Sequence, residues 1–337
     1  MATINDVARV AGVSKRTVSR VINDSPLVNK STRDKIRAVI KELNYEPSPQ
    51  ARGLASSRSY LMGLIYDDPN ALSIHAIQRG ILNVCLAKGY ELIVRPFDHQ
   101  SGNLSERVIS FIQRSKLDGI ILLPPLSGNE TLAGALKAGG YNYVRIGNVA
   151  FDVISHRVYT EDRESMADLS NYLVSLGHRN IAVISGPPSR LATVERLTGF
   201  QESLLARGVS LPDDNILVGD FSYDAGVRLG TKLLSRENPP TAIFALNDEM
   251  AAGVLQAARK LGLDVPGDVS IAGYDDSPLA TKIYPSLTTF HRPNARLAEQ
   301  AVEKLLLQIA SVNDEPQIEG SFRPELVLRQ STGPVRQ

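Results

Sequence analysis

The chain has 337 residues, 43% of them hydrophobic and 22% charged, with a net charge of +1, which suits a globular protein of two or three domains, each with its own core. A single cysteine, Cys85, excludes an internal disulfide and a thiolate metal cluster, and no apolar run approaches the ~18 residues of a membrane span. The near-zero net charge conceals an asymmetry: residues 1–59 carry 11 Lys and Arg against 5 Asp and Glu, and the remainder 26 against 31, so a basic module is joined to a slightly acidic body and a polyanion is the natural partner of the first.

In chain order, Ile4, Val7, Ala8 and Ala11 mark the inner stripe of a first helix, and Gly12 supplies a tight turn. Ser14 is a good N-cap for a second helix whose Val18, Val21 and Ile22 face inward, leaving Lys15, Arg16, Ser19, Arg20 and Asn23 facing out. Two short helices crossing at a glycine turn, the second armed with basic and amide side chains, predict a helix-turn-helix that reads DNA. After the loop 24–30 a third helix is expected, capped by Ser31 with Asp34 three residues on, its stripe formed by Ile36, Val39, Ile40 and Leu43. Pro47-Ser48-Pro49 then breaks helix. The segment from Gln50 to Ser59 reads either as a flexible linker, because of Gly53 and its serines, or as a helix that forms only when supported, with Ala51 and Leu54 on one face.

From Tyr60 the pattern changes. Short apolar runs at 61–65, 92–94, 119–123 and 143–146 predict buried parallel strands, with helices near 71–88, 104–115 and 130–139 between them. The rhythm restarts after about residue 160, with strands at 181–184, 216–218, 242–245 and 269–272 and helices near 163–176, 194–207, 224–236 and 248–261. A crossing at about 288–292 leads to a late helix at 294–310 and a strand near 325–328. Two βαβ series imply two doubly wound sheets, each with a crevice at the carboxyl ends of its strands. Dinucleotide-binding and P-loop signatures are missing, and the five histidines are scattered without metal-ligand spacing, so neither an enzyme nor a cofactor or metal requirement is expected. The chain starts without a signal-peptide pattern, which argues for a cytoplasmic location and against a solute-binding protein serving a transporter.

Thr3-Ile4-Asn5-Asp6-Val7-Ala8, Ala11-Gly12-Val13-Ser14, Thr17 to Asn23, Tyr45-Glu46-Pro47 and Gln50 to Ala55 resemble the headpiece and hinge of the LacI/GalR transcriptional regulators. The likeness continues through Arg196 to Phe200, Asn247 to Met250, Gly273 to Asp276 and Pro285 to Thr289, and so runs the length of the chain. It implies an all-α helix-turn-helix headpiece (1–46), a hinge helix or linker (47–59), and an α/β body of two doubly wound parallel-sheet subdomains resembling type I periplasmic binding proteins. The first subdomain would take 60–159 and 291–322, and the second 160–290 and 323–337. By motif alignment the family's specificity positions fall on Lys15, Arg16 and Arg20. A forked arginine or a lysine reaches guanine O6 and N7, so G·C-containing half-sites are expected. Thr17, Ser19, Asn23 and Asn29 are assigned to phosphates, capping being the alternative for Asn29.

The resemblance makes Leu54, with Ala51 beside it, a wedge in the minor groove of a pseudo-palindromic operator, and so requires a homodimer. No terminal leucine heptad supports a coiled-coil tetramer. In the body, Asp67 (or its neighbour Asp68), Asn148, Arg196, Phe221, Asn247 and Asp275 follow strands or open helices at the cleft end. Carboxylates accept bonds from hydroxyls and a guanidinium spans vicinal oxygens, which is sugar chemistry. Phe221 aligns with an aromatic that the family sets against a sugar face. Asp248 is read as a helix cap and Asp276 as lying outside the cleft. The expected function is a sequence-specific repressor controlled by a small carbohydrate. The alternative within the family is a purine-type or a protein corepressor; Arg190 lies where the purine-binding branch makes contacts, but Ala192 lacks a hydroxyl.

Overall fold

The computed structural model describes residues 2–22, 25–45, 58–67, 71–148, 151–310 and 320–336. Asn23, Ala51 and Leu54, expected above to contact DNA, and Asp68 therefore lie outside the described residues.

Three helices, α1 (Ile4–Ala11), α2 (Lys15–Ile22) and α3 (Lys30–Glu42), form the headpiece. Thr3 and Asp6 close a reciprocal capping box at the start of α1, and Gly12 ends it at φ 67°, a left-handed conformation that glycine adopts without a Cβ penalty. Ser14 caps α2 as expected, accepting the Thr17 amide at 3.2 Å. At α3 the expectation fails. Asn29 is the cap, its Oδ1 accepting the Thr32 amide at 2.9 Å, so the helix starts at Lys30 and Ser31 lies inside it. Asparagine and serine cap about equally well, and the Pro26–Val28 turn delivers Asn29 first. Val7, Ala11, Val18, Val21, Ile36 and Val39 pack into the headpiece core.

The body begins with β1 (Leu61–Tyr66), α4 (Ala71–Lys88), β2 (Glu91–Pro96), α5 (Leu104–Ser115), β3 (Gly119–Leu122), α6 (Glu130–Ala138), β4 (Tyr143–Ile146) and β5 (Arg157–Thr160). It continues with α7 (Asp162–Ser175), β6 (Ile181–Ser185), α8 (Leu191–Leu205), β7 (Ile216–Val218), α9 (Tyr223–Leu234), β8 (Ala242–Ala245), α10 (Asp248–Lys260) and β9 (Ser270–Ala272). The short helix α11 (Pro278–Lys282), β10 (Thr289–His291), α12 (Asn294–Ala310), β11 (Ser321–Phe322) and β12 (Glu325–Val327) complete it.

One six-stranded sheet has the order β11-β5-β4-β3-β1-β2 and a four-stranded sheet the order β7-β6-β8-β9, with every pairing parallel. In the first sheet Ile121 and Leu123 face one apolar layer while Ile120 and Leu122 face the other. Burial on both faces is what a continuous apolar run encodes. Helix α12 returns to this sheet, laying Leu297, Ala301, Val302 and Leu305 against Met62, Leu64 and Val144. β12 instead pairs antiparallel with β10. Strand order reverses between β1 and β3 in one sheet and between β6 and β8 in the other. Ligand crevices in open α/β sheets form at such reversals, outside the carboxyl ends of the strands.

Candidate functional site

Two surfaces follow from this architecture. On the headpiece, Lys15 and Arg16 are exposed in the first turn of α2, and Arg20, one turn on, is half-buried. None of the three has an ion-pair partner among the described residues, so the cationic edge of α2 is available to a polyanion. Thr17 is half-buried and shares a hydrogen bond with the Ser14 hydroxyl at 2.9 Å. Ser19 is half-buried on the same helix. The Asn29 side chain is committed to the α3 cap.

In the body, a cleft of about 420 Å³ opens at the strand reversals. The loop after β3 supplies Leu123, Pro124 and Ser127, and β4 and its continuation supply Ile146, Asn148 and Phe151. The second half contributes Ser189, Arg190, Arg196 and Phe221, with Asp162 at the start of α7, and the crossing after β10 contributes Arg292. Of the six cleft residues expected from sequence, Asn148, Arg196 and Phe221 are thus brought together.

Arg196 is buried, 7% exposed, and held on three sides. Its Nε donates to Asp162 Oδ2 at 2.9 Å, its Nη1 to the Leu246 carbonyl at 3.0 Å, and its guanidinium lies 3.4 Å from the centre of the Tyr274 ring. The Tyr274 hydroxyl in turn donates to Asp162 Oδ1 at 2.6 Å. A guanidinium fixed by charge, hydrogen bond and ring face presents its remaining N–H groups in one orientation. Asn148 accepts the Thr160 amide at 3.2 Å and so ties the β4 loop to the end of β5.

Phe221 holds a left-handed backbone at φ 72°, unusual for an aromatic residue. Its ring covers Gly186 so closely that a Cβ there would stand 2.0 Å from the ring, so glycine at the end of β6 is a condition for this wall. Asn247 is not in the lining and acts from behind it. Its Oδ1 caps α10 by accepting the Met250 amide, and its Nδ2 donates to the Phe221 carbonyl, both at 2.9 Å.

Asp67 and Asp275 also stand outside the lining. Asp67 accepts the His99 amide at 2.8 Å and pairs with the His99 ring. Asp275, at φ 117°, has its pKa pushed up to about 6 by burial, against the attraction of Arg196 and Arg292. Asp248 is not the cap of α10, because Asn247 has that place; its carboxylate is buried and accepts the Thr289 hydroxyl at 2.6 Å and the Ser277 amide at 2.7 Å. Asp276 pairs with His291 and Arg329, away from the cleft.

The residues missed from sequence are Phe151, Asp162, Thr160, Ser127 and Arg292, all in the lining. Arg292 was findable, as a charged residue beside Pro293 in the expected crossing. Asp162 was not, because nothing local distinguishes it from any acidic residue in a first helical turn. Among the described residues, one group of three potential metal ligands converges: Asp67, Asp98 and His99, whose ligand atoms lie within 4.8 Å of one another. Two of the three are exposed and Asp67 is already bonded to His99.

Residues 3–48 match the family model for bacterial regulatory proteins of the lacI family, and residues 170–332 that for a periplasmic binding protein-like domain. The HTH-type transcriptional repressor PurR of Escherichia coli O139:H28 is 36% identical over 347 residues, covering 100% of this chain and 99% of the relative. The chain belongs to the lacI family of bacterial regulatory proteins. The PurR repressor of Proteus mirabilis is 34% identical over 341 residues, spanning 98% of this chain and 97% of its own length.

Among solved structures, the lac repressor dimer bound to operator and the anti-inducer ONPF superposes with a TM-score of 0.79 at 28% identity, over 98% of this chain and 99% of that one. The complex of the transcriptional regulator CelR with cellobiose gives 0.73 at 30% identity, over 98% and 100%. This lacI-family chain is a DNA-binding transcriptional repressor and not an enzyme. It joins a lacI-type helix-turn-helix to a periplasmic-binding-protein-like body, and none of its described helices is long and apolar enough to cross a membrane.

Proposed function

We propose that this repressor acts in the cytoplasm as a homodimer whose operator affinity is set by a small carbohydrate held between the two halves of the body. Those halves divide the chain at 60–159 with 291–322 and at 160–290 with 323–337. The observation that carries the effector reading is the pairing of an apolar wall, Phe221 over Gly186, with an oriented guanidinium, Arg196 fixed by Asp162 and Tyr274. A pyranose ring has an apolar C–H face that suits the first and vicinal hydroxyls that suit the second. Asn148 adds an amide, and Asn247 fixes the wall from behind. Asp67 and Asp275, outside the lining, act on the cleft through their charge, the first on Arg190 and the second on Arg196 and Arg292.

On the DNA side, Lys15, Arg16 and Arg20 read base edges in the major groove and Thr17, Ser19 and Asn23 set the register on phosphates, while the Asn29 side chain serves the α3 cap. Leu54 and Ala51, one pair from each subunit, wedge the minor groove. The body controls that wedge by holding the chain where it leaves the hinge. The Ser59 amide and hydroxyl and the Tyr60 amide donate to Asp118 at 2.8, 3.0 and 2.9 Å, and Arg58 donates to the Ile309 carbonyl at 2.9 Å. A purine-type corepressor is the second reading, favoured by Arg190 in the lining and by the flat ring of Phe221, which suits a base as well as a sugar.

A thermal-shift screen of the full chain against D-glucose, cellobiose, D-ribose and hypoxanthine, followed by operator titration with each hit, separates the two. A sugar that raises the melting temperature and changes operator affinity roughly 5- to 150-fold supports the carbohydrate reading. Stabilisation by hypoxanthine alone replaces it with the second.

A further inference from the structure

Two half-buried arginines of the cleft wall, Arg190 and Arg292, form no ion pair among the described residues. Arg190, just before α8, makes no side-chain hydrogen bond or ion pair among the described residues, and burial lowers its pKa. Only the charge of Asp67 works against that burial, from a carboxylate already bonded to the amide and ring of His99. Arg292, on the crossing after β10, donates Nη1 to Asn294 Oδ1 at 2.7 Å, while its buried Nε has no partner. Arg196 is different, because Asp162 neutralises it inside the same wall.

Among the described residues, no carboxyl group bonds to either of the other two arginines. Glu130 is exposed at the rim. Asp275 stands outside the lining and attracts Arg292 without bonding to it, its pKa pushed up to about 6 by burial. Taking a cation out of water without a partner is costly, and a planar guanidinium repays that cost best by forking onto a carboxylate or phosphate.

We infer that the effector of this repressor carries an anionic group, a carboxylate or a phosphate, bound by Arg190 and Arg292, so that its class is an acidic sugar: a uronic or aldonic acid, or a sugar phosphate. The inference rests on the carbohydrate reading of the cleft and narrows it. Phe221 and Arg196 then hold the ring, and the two unmatched arginines take the charge.

The test measures binding to the full chain of D-glucose, D-glucuronate, D-gluconate, glucose 6-phosphate, inorganic phosphate and hypoxanthine. At least one acidic sugar binds tenfold or more tightly than D-glucose, and the carboxylate and phosphate arms identify which anion the site takes. Arg292→Gln then weakens that sugar tenfold or more, and Arg292→Lys, which keeps the charge and loses the fork, recovers part of the loss. If Arg292→Gln does not fold, Arg190→Gln carries the same prediction. D-glucose binding as tightly as its acids overturns the inference and leaves the carbohydrate reading standing. Hypoxanthine binding without any sugar overturns that reading, and the inference with it. Inorganic phosphate as tight as glucose 6-phosphate, no binding by any acidic sugar, or indifference to both arginine substitutions also overturns the inference.

Discussion

Asp248 opens α10 with both carboxylate oxygens bonded, to the Thr289 hydroxyl and the Ser277 amide, yet its pKa is pushed up to about 7 by burial and by the neighbouring charge of Asp275. Asp275 is raised to about 6, chiefly by burial. In the unfolded chain both titrate near the ordinary ~3.9. Folding therefore takes up protons between the two values. The stabilisation is complete below about pH 4 and is lost as pH rises through 6 and 7. Asp248→Asn removes one of these groups, so its urea-unfolding midpoint falls less between pH 5 and pH 8 than that of the parent chain. Parallel declines in the two proteins would contradict the assignment. Residue-scale roles of this kind were only partly legible in the sequence. Asn247 and Asp248 were visible as polar residues after a strand, but which of them caps the helix and which is sequestered with Thr289 depends on a chain segment about 40 residues away.

At the scale of elements, legibility followed burial. Runs such as Gly119–Leu122 and Ala242–Ala245 are buried at every position, so their apolar continuity announced parallel strands. β5, Arg157–Thr160, alternates half-buried and buried residues with an arginine and a tyrosine among them, and β11 is a two-residue edge. Neither has a pattern that local periodicity detects. The anchoring of Ser59 and Tyr60 at the start of the body is likewise a tertiary feature, because Asp118 precedes β3 and is 59 residues from the Ser59 amide that it accepts. Removing that acceptor loosens the point from which the proposed hinge departs. Asp118→Ala is expected to weaken operator binding about tenfold, ~1.4 kcal/mol, in an anisotropy titration, while the stabilisation given by the effector persists. Unchanged operator affinity would show that these hydrogen bonds do not hold the hinge.

The whole molecule joins a basic headpiece to an acidic body, and the charge division at residue 59 was readable without coordinates. So was the presence of two doubly wound halves. The cleft's detailed chemistry was not, because Asp162, Phe151 and Arg292 enter it from the start of a helix, a loop and a crossing that only the folded chain brings together.

In the proposed mechanism the headpiece and the cleft are two sites of one equilibrium, and linkage then requires reciprocity: if the sugar changes operator affinity by some factor, the operator changes sugar affinity by the same factor. Titrating the full chain with operator duplex in the presence and absence of the sugar chosen by the thermal screen, and with that sugar in the presence and absence of duplex, measures both. Equal factors between roughly 5 and 150 are predicted; a sugar that fills the cleft and leaves both affinities unchanged would contradict the account.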